Sequence, residues 1–474
     1  MDFSHAHEFF IDGAWVRAQG TRRAAVVNPA DETPLGEVAL AGREDVSRAV
    51  TAAAAAFPAF ARSSLAERTA LLLRLLAAYR ARGEDIARIV VQEVGAPVTL
   101  AAGQVKVGEL HITTMLEVLK HFAFVEAHGH YDVVREPIGV CGLITPWNAP
   151  VGQVLCKVVP ALAAGCTVVV KPSEVTPLCT LILGEVFAAC DLPPGVVNLI
   201  NGDGPEAGTA LASHPAVDLV SFTGSVRGGV AVAQAAAPTV KRVVQELGGK
   251  SANLILRDAD LEAAVRRGVA ACMFHSGQAC AAPTRMLVPH ACLPRAAMLA
   301  ADAARRMKLG PPSAPDTQLG PLVNRAQFDR VRGYIHTGVT EGARLVTGGE
   351  ERPASLPHGY FVQPTVFSDV DPAMIIAQEE IFGPVLCLIG YETEDDAVRI
   401  ANGTPYGLAA YVASGSLAHA REIAAQLRAG YVSINYPPWN PVAPFGGYKR
   451  SGNGRQFAEH GLLEYLEIKS IVTE

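Results

Sequence analysis

Cys280 stands in a segment whose composition suits a reactive thiol. The segment FHSGQACAAPTR covers residues 274–285, and its alanines leave room for another molecule to approach the sulfur. A thiolate attacks carbonyl carbon, and the thiol does not. Most cysteines are simply small buried apolar residues. Here the polar run 275–278 favours the reactive role over that alternative.

Glu246 precedes a glycine turn, Gly248-Gly249, at the end of an apolar strand. Ligands of open α/β sheets bind at the carboxyl ends of the strands. A partly desolvated carboxylate there would have a raised pKa and could act as a general base. A surface ion pair with Lys250 is the alternative, and the sequence leaves both open.

Asn148 follows Pro146 and Trp147, just after another apolar strand. Its amide could stabilise negative charge that develops on a carbonyl oxygen. Asn and Pro also favour turns, so this motif alone indicates no more than a turn.

The segment 171–174, KPSE, also follows a strand. An acidic residue in that position can bind ribose hydroxyls, and it would repel a 2′-phosphate. Alternatively, Ser173 caps a helix and Glu174 occupies its first turn. Both interpretations stay open.

Two glycine-rich junctions follow strands as well. The junction 222–225, FTGS, with Gly228 and Gly229, could bind an anion at the N-terminus of a helix. The other, 202–208, is not a dinucleotide fingerprint, and Asp203 and Glu206 argue against direct phosphate contact there.

The elements that must position these residues alternate between apolar strands and helices, with a restart after Gly249. Such alternation predicts parallel sheets covered on both faces. A hairpin at 8–17 precedes them, and segments 308–322 and 435–454 are expected to be loops. The predicted strands are 139–145, 166–171, 196–200, 219–223, 241–247, 252–256, 285–288, 362–367, 385–390, 409–413 and 431–434. The predicted helices are 43–61, 65–82, 104–123, 151–164, 178–189, 207–213, 228–236, 260–273, 294–306, 395–401 and 417–427.

Composition excludes several classes of protein. Of 474 residues, 50% are hydrophobic, and the net charge of −6 gives nucleic-acid binding no electrostatic support. The longest apolar stretch, 158–170, is shorter than the ~20 residues of a membrane span. The first ten residues do not resemble a secretory signal, so we expect a cytoplasmic protein with no membrane contact. Nine scattered cysteines without a C-x-x-C pair disfavour disulfides and zinc, and no metal is expected.

Together the motifs resemble the aldehyde dehydrogenase superfamily over nearly the whole chain. The matching stretches are PWN (146–148), KPSE (171–174), FTGS (222–225), ELGGK (246–250), GQAC (277–280), EEIFGPV (379–385) and PFGGYKRSG (444–452). The resemblance implies an α/β fold of two Rossmann-like open-sheet domains with a small β oligomerisation flap. The domains implied are a NAD-binding domain (1–123 and 137–248), a catalytic domain (249–446) and the flap (124–136 and 455–474). A homodimer or homotetramer is implied as well.

The same resemblance implies roles for individual residues. Cys280 would be the nucleophile, Glu246 the general base, Asn148 the oxyanion donor, and Lys157 a participant in proton movement. An aldehyde would be oxidised with NAD to the carboxylic acid, through a Cys280 thioester that Glu246-activated water hydrolyses. Glu174 favours NAD over NADP, although Lys171 could still meet a phosphate. The cofactor residues implied are Ile144, Thr145, Pro146, Trp147, Lys171, Ser173, Glu174, Gly204, Gly208, Phe222, Thr223, Gly224, Ser225, Leu247, Gly248, Glu380 and Phe382.

The sequence departs from the family pattern in two places. Gln456 stands where the family often has a glutamate on a proton path, and Glu459 is one candidate substitute. Ala149 stands where an aromatic residue often narrows the substrate tunnel, so a bulky apolar or aromatic aldehyde is expected. The substrate-contacting candidates are Ala149, Gln153, Ala279, Trp439 and Phe445.

Other functions stay in consideration. A semialdehyde dehydrogenase using NAD or NADP would need a basic anchor, for which Arg285 and His275 are the weak candidates. A relative that transfers the acyl group to coenzyme A would typically lack Glu246. A catalytically silent binding protein would have lost Cys280, Glu246 or Asn148, and all three are present.

Overall fold

The computed structural model describes residues 3–474, and its first sheet has seven strands. From one edge, the order is β11-β10-β7-β8-β9-β1-β2. The strands from β11 to β9 run parallel to one another, β1 is antiparallel to β9, and β2 is antiparallel to β1. Numbered along the chain, they are β1 (Glu8–Ile11), β2 (Ala14–Arg17), β7 (Val140–Ile144), β8 (Thr167–Lys171), β9 (Val197–Leu199), β10 (Leu219–Gly224) and β11 (Arg242–Leu247).

The second sheet also has seven strands, in the order β14-β15-β16-β13-β12-β17-β18. Only β14 is antiparallel to its neighbour. Its strands are β12 (Ala252–Ile255), β13 (Arg285–Pro289), β14 (Arg344–Thr347), β15 (Thr365–Ser368), β16 (Val385–Tyr391), β17 (Ala409–Ala413) and β18 (Tyr431–Ile434). The predicted α/β fold with two open sheets is therefore confirmed.

The remaining strands form two small antiparallel sheets. One pairs β3 (Arg23–Val27) with β4 (Pro34–Ala39). The other has the order β19-β6-β5 and joins β5 (Val125–Ala127) and β6 (Tyr131–Pro137) to the C-terminal β19 (Leu466–Val472). This three-stranded sheet brings together the two segments that the sequence assigns to the flap.

Fifteen α-helices lie in the described part of the chain. Those before residue 248 are α1 (Arg43–Phe60), α2 (Leu65–Ala81), α3 (Gly83–Ile89), α4 (Val98–Val118), α5 (Pro150–Ala164), α6 (Leu178–Ala188), α7 (Thr209–Ser213) and α8 (Val226–Ala236). The later ones are α9 (Leu261–Met273), α10 (Leu293–Arg305), α11 (Arg325–Thr340), α12 (Ile375–Gln378), α13 (Glu394–Asn402), α14 (Leu417–Ala424) and α15 (Ala458–Leu463). Within residues 3–474, none has the length and hydropathy to cross a membrane.

Alternate strand residues of the first sheet enter different apolar cores. Leu143, Val168 and Val170 belong to one buried cluster, whereas Val140 and Val169 belong to another. Successive side chains of a strand point to opposite faces, so the sheet is covered on both. This burial explains why its strands are continuously apolar.

Several predicted boundaries are wrong. Helix α4 begins at Val98, directly after Pro97, and not at 104; proline is well tolerated at a helix start. The strand expected over 362–367 begins at Thr365, because Pro364 lacks the N–H that a ladder needs. The helix expected over 417–427 ends at Ala424. Helix α11 was not predicted, because its charged sequence and internal Gly333 give a weak apolar pattern.

Candidate active site

Asn148, Thr223 and Glu246 lie at the carboxyl ends of three strands of the first sheet. Asn148 follows β7, Thr223 lies near the end of β10, and Glu246 lies near the end of β11. These strands are neighbours, and the register places Thr223 opposite Glu246. Parallel strands present their carboxyl ends at a shared edge, as the sequence argument expected.

Cys280 lies in the loop between α9 and β13, at the meeting point of two cavities. One is a polar cleft, whose lining includes Trp147, Glu246 and Glu380. The other is a largely apolar cavity of about 790 Å³. Cys280 and Asn148 line both. A molecule in either cavity can therefore reach the sulfur.

The surroundings of the nine cysteines separate Cys280 from the others. All nine are free thiols, and only Cys280 and Cys292 are not fully buried. Burial, together with the charges of Glu380 and Glu246, raises the pKa of the Cys280 thiol to about 12. The backbone amides of Ala281 and Cys280 act in the opposite direction. The resting side chain is therefore a thiol, which must lose its proton before the sulfur can attack.

Glu246 is 3% exposed, and neither carboxylate oxygen has a hydrogen-bond partner. Burial raises its pKa well above the usual value, Lys157 and Arg455 lower it, and Glu464 raises it. Lys250 is also buried, and no salt bridge joins it to Glu246 within residues 3–474. The alternative of a surface ion pair is therefore wrong. A buried carboxylate without partners suits a proton acceptor.

Asn148 is buried, and its Nδ2 donates to the backbone oxygen of Gln278, 2.9 Å away. An amide nitrogen carries two hydrogens, so one remains available to another acceptor. This bond ties the candidate oxyanion donor to the loop that carries Cys280.

Lys157 lies inside α5, away from both cavities. Its Nζ donates to Ser221 Oγ at 2.9 Å, and burial lowers the pKa of its ammonium group. The charge of Glu246 acts in the opposite direction. The positive charge of Lys157 can therefore lower the pKa of Glu246.

Glu380 folds over the glycine turn that follows Glu246. Its Oε1 accepts from the Gly249 backbone amide at 3.1 Å, and a Cβ on Gly248 would collide with its carboxylate. Burial raises the pKa of Glu380 to about 7. In the same cleft, the rings of Trp147 and Phe382 meet edge to face at 5.3 Å.

The N-terminus of α8 opens into the same cleft. Ser225 caps it, since its Oγ accepts from the Gly228 backbone amide at 3.1 Å. The Phe222 ring packs against Gly224 and Gly228, where side chains would collide with it. Thr223, Gly224 and Ser225 line the cleft, so backbone amides face it where an anion could bind.

Lys171 lies at the end of β8 and is buried. Its Nζ donates to the backbone oxygens of Pro172 and Gly202, at 2.7 and 2.6 Å, and lies 3.8 Å from Glu174. Its methylene chain approaches Gly208. Two of its three donors are therefore already used.

The neighbouring acidic residues have structural partners. Asp203 and Glu206 both form ion pairs with Arg22. Ser173 Oγ accepts from the Val175 amide at 3.2 Å and does not cap the next helix, which begins at Leu178. The helix-cap interpretation of Ser173 is therefore wrong.

The apolar cavity lies between α4, α5, α9 and the loop before α11. Ala149 and Ala279 line it, together with Leu100, Val107 and Met273. Its lining contains no lysine or arginine. Arg285, a sequence candidate for an anion anchor, is buried elsewhere and donates to three backbone oxygens.

The other predicted substrate residues lie elsewhere. Gln153 lines the polar cleft. Trp439 packs edge-on against Phe457, and Phe445 packs against the same ring; neither lines either cavity.

The remaining predicted cofactor residues divide between the cleft and its surroundings. The cleft lining includes Pro146, Leu247 and Gly248. Ile144 and Thr145 lie behind it at the end of β7, and Gly204 begins the turn before α7.

Gln456 is buried beside Cys156, whose Sγ lies 3.7 Å from its Oε1. Glu459 is exposed and borders a surface groove with Val442. The carboxylate whose charge raises the pKa of Glu246 is Glu464, which the sequence did not identify as a candidate.

Residues of α11 also line the cleft and were not predicted. Gln327 and Arg330 face it, and Arg330 donates to the Glu380 backbone oxygen at 2.6 Å. Asn324, which caps α11, is the sequence signal that could have located this helix. Within residues 3–474, no cluster of His, Cys, Asp and Glu is arranged to hold a metal.

Comparison with known proteins gives consistent matches. A family model described as the aldehyde dehydrogenase family matches residues 15–471. The 3-succinoylsemialdehyde-pyridine dehydrogenase of a Pseudomonas species is 50% identical over 98% of both chains.

Two solved structures extend the comparison. A mutant of aldehyde dehydrogenase C from Pseudomonas syringae, complexed with NAD+ and octanal, is 50% identical with a TM-score of 0.98, covering 99% of this chain and 97% of that one. A Mycobacterium tuberculosis aldehyde dehydrogenase complexed with NAD+ is 38% identical with a TM-score of 0.95, covering 99% and 98%. Since the family model and these relatives span nearly its whole length, the chain belongs to the aldehyde dehydrogenase family, as its motifs predicted.

Proposed function

We propose that this protein oxidises a mainly apolar aldehyde to the carboxylic acid with NAD. The observation that carries the proposal is the position of Cys280 and Asn148 at the junction of a polar cleft and an apolar cavity. The cleft contains a buried carboxylate, Glu246, without partners. A nucleophile, an oxyanion donor and a base thus surround one point where an aldehyde carbon can sit.

The polar cleft fits a dinucleotide. Its α8 N-terminus and glycines offer backbone amides to a pyrophosphate, and the buried Thr223 Oγ1 lacks a partner. The charge of Glu380 raises the pKa of Cys280, so its carboxylate lies near the sulfur. Glu380 can therefore bind a ribose beside Cys280. The Pseudomonas syringae and Mycobacterium tuberculosis relatives are complexed with NAD+.

In the first step, the Cys280 thiol gives its proton to solvent in the cleft, and the sulfur attacks the aldehyde carbon. A C–S bond forms, and the electron pair of the C=O bond moves to oxygen. The free N–H of Asn148 and the backbone N–H of Cys280 stabilise this oxyanion. When bound, NAD would accept the hydride that leaves this carbon as the C=O bond re-forms, and the adduct would thereby become the Cys280 thioester.

In the second step, Glu246 removes a proton from a water molecule, which attacks the thioester carbon. The C–S bond breaks, the acid leaves and Cys280 is regenerated. The raised pKa of Glu246 favours uptake of that proton. The positive charge of Lys157 lowers this pKa and so limits the rise.

The cavity favours an aldehyde with a bulky apolar or aromatic group. Octanal is the aldehyde in the Pseudomonas syringae complex, and a pyridine appears in the name of the Pseudomonas relative. A semialdehyde that carries a carboxylate fits less well, because no lysine or arginine lines the cavity. Transfer to coenzyme A is disfavoured by Glu246, since a positioned base favours hydrolysis.

We further propose a homodimer or homotetramer, assembled through the three-stranded sheet. Its edge strand β19 exposes Ile468, Ile471 and Val472, and exposed apolar edges tend to be covered by another chain. A monomer in light scattering would contradict this assembly. The cytoplasmic location expected from the sequence stays a prediction, and nine free thiols are compatible with it.

The test measures NADH formation with propanal, octanal, benzaldehyde and succinic semialdehyde, with NAD and NADP in parallel and no coenzyme A. Octanal or benzaldehyde should be the best substrate, and the product should be the free acid. Cys280→Ala should abolish turnover, whereas Cys292→Ala, at the other partly exposed cysteine, should leave it intact. Equal activity in Cys280→Ala would overturn the mechanism.

A further inference from the structure

The backbone oxygen of Asn148 accepts hydrogen bonds from two side chains on different elements. His275 Nε2 lies 2.8 Å away, and Gln104 Nε2 lies 3.2 Å away. Gln104 belongs to α4, and His275 lies in the turn before Cys280. All three residues are at most 9% exposed. These bonds are therefore largely shielded from bulk water.

The protonation state of His275 follows from its partner. A carbonyl oxygen only accepts, so Nε2 must carry the hydrogen. Burial lowers the pKa of the imidazole to about 4, so the ring is neutral at neutral pH. His275 is thus held as one tautomer and donates to Asn148.

The turn that carries His275 has an unusual backbone. His275, Ser276 and Gly277 have φ angles of +55°, +54° and +73°. This left-handed region is unfavourable for the non-glycine residues His275 and Ser276. Ser276 Oγ donates to the Gly320 backbone oxygen at 2.8 Å, and Gln278 N donates to the His275 oxygen at 3.0 Å. These bonds hold the turn in a conformation that places the imidazole next to Asn148.

Asn148 is therefore held on both sides. Its backbone oxygen is fixed by His275 and Gln104, and its side-chain Nδ2 by the Gln278 oxygen. One amide hydrogen of Nδ2 is left, and rotation of the peptide would misdirect it. An oxyanion donor is effective only when it is oriented before the reaction begins.

We propose that His275, assisted by Gln104, is a positioning residue that orients the free amide hydrogen of Asn148 toward the carbonyl oxygen at Cys280. The inference rests on the proposed function, in which Asn148 stabilises the oxyanion. His275 acts through Asn148 and accelerates the formation of the Cys280 adduct.

The experiment compares His275→Leu, which removes the donor, with His275→Gln, whose side-chain amide can restore it. The matched control is His111→Leu, since His111 is a similarly buried imidazole without a bond to Asn148. Two rates are followed: NADH formation with octanal and propanal, and p-nitrophenolate release from p-nitrophenyl acetate. The ester acylates a reactive thiol without any cofactor.

His275→Leu should lower both rates about tenfold or more, since an oxyanion donor contributes about 10²–10³. KM for octanal and propanal and the affinity for NADH should change less than about twofold. His275→Gln should recover most of the rate, and His111→Leu should match wild type. Adding Gln104→Leu to His275→Leu should give a non-additive loss, because both bonds act on one oxygen.

Unchanged rates in His275→Leu, no recovery in His275→Gln, or a loss confined to KM for octanal would each overturn the inference. The last result would make His275 only a wall of the apolar cavity. If wild type oxidises no aldehyde, the proposed function fails. The ester comparison still decides the role of His275, because it requires only the thiol and the oxyanion donor.

Discussion

The Arg455 backbone amide donates a 2.7 Å hydrogen bond to the Glu464 carboxylate. The bond holds a negative charge near enough to Glu246 to raise the pKa of that base. Glu464 is half-buried, and its own pKa is raised by burial. Glu459, the substitute suggested by sequence, is exposed on the surface. The C-terminal carboxylate that influences the base is therefore Glu464.

Replacing Glu464 with glutamine should move the acid limb of the rate–pH profile to lower pH. Glu246 must be deprotonated to act, and its pKa is raised in part by Glu464. Removing that charge lowers the pKa of Glu246, so the active carboxylate persists at lower pH. The measurement is kcat for aldehyde oxidation against pH. Glu459→Gln serves as the control and should keep the wild-type profile. A limb that moves to higher pH in Glu464→Gln would contradict this relationship.

Glu246→Gln should separate the two halves of the reaction. Acylation of Cys280 needs the thiol and Asn148, whereas hydrolysis needs the base. The first turnover should therefore form NADH, and later turnovers should slow by about 10²–10⁴, the usual contribution of general base catalysis. Rapid mixing with octanal would show a burst, and mass spectrometry would detect the acyl group on Cys280. Unimpaired steady-state turnover would rule Glu246 out as the base that activates water.

The positions of Glu246 and Asn148 could be predicted because both lie at the carboxyl ends of apolar strands in a parallel sheet. The carboxyl ends of parallel strands lie at the same edge of the sheet, whatever the conformation of the loops that follow. The local sequence pattern was therefore sufficient to place these two residues. The same logic placed the FTGS junction at the start of α8. The family motifs supplied the chemistry that the pattern alone left open.

Contacts between distant segments could not be predicted in this way. His275 and Asn148 are 127 residues apart, and their contact depends on three consecutive residues with positive φ. Arg330 reaches the Glu380 backbone from a helix with a weak apolar pattern. Trp439 was expected near the substrate, but the structure packs it against Phe457. Side-chain packing between elements determines these contacts, and no local sequence signal encodes it.

Ala149→Phe should convert a broad substrate range into a narrow one. Ala149 lines the apolar cavity near Leu100 and Met273, and a phenyl ring there would occupy part of its volume. KM for octanal should rise about tenfold or more, while kcat/KM for propanal should stay within about threefold. Trp439→Ala lies outside the cavity and should leave the octanal-to-propanal ratio unchanged. An altered ratio in Trp439→Ala alone would place the substrate beside Trp439 and outside this cavity.

Gly248→Ala should weaken cofactor binding without unfolding the protein. A Cβ at this position would collide with the Glu380 carboxylate and displace it from the Gly249 amide. NADH affinity, measured by fluorescence titration, should fall about tenfold, which corresponds to one charge-assisted hydrogen bond. Gly333→Ala in α11 adds a Cβ in open space, so it should keep the affinity and keep or slightly raise the melting temperature. Wild-type affinity in Gly248→Ala would show that Glu380 does not hold the cofactor.

Glu174→Gln should relax the choice between NAD and NADP. Glu174 lies just after β8, where a 2′-phosphate would meet its negative charge. Lys171 already donates two hydrogen bonds to backbone oxygens. Removing the repulsion should raise kcat/KM with NADP about tenfold, the equivalent of about 1.4 kcal/mol for a partly exposed charge pair. The value with NAD should fall slightly, because one acceptor for the ribose hydroxyls is lost. Asp203→Asn is the matched control, since Asp203 is paired with Arg22 and its loss should leave the NAD-to-NADP ratio unchanged. The charge argument fails if Glu174→Gln keeps the wild-type ratio, and discrimination would then depend on the shape of the pocket around Lys171.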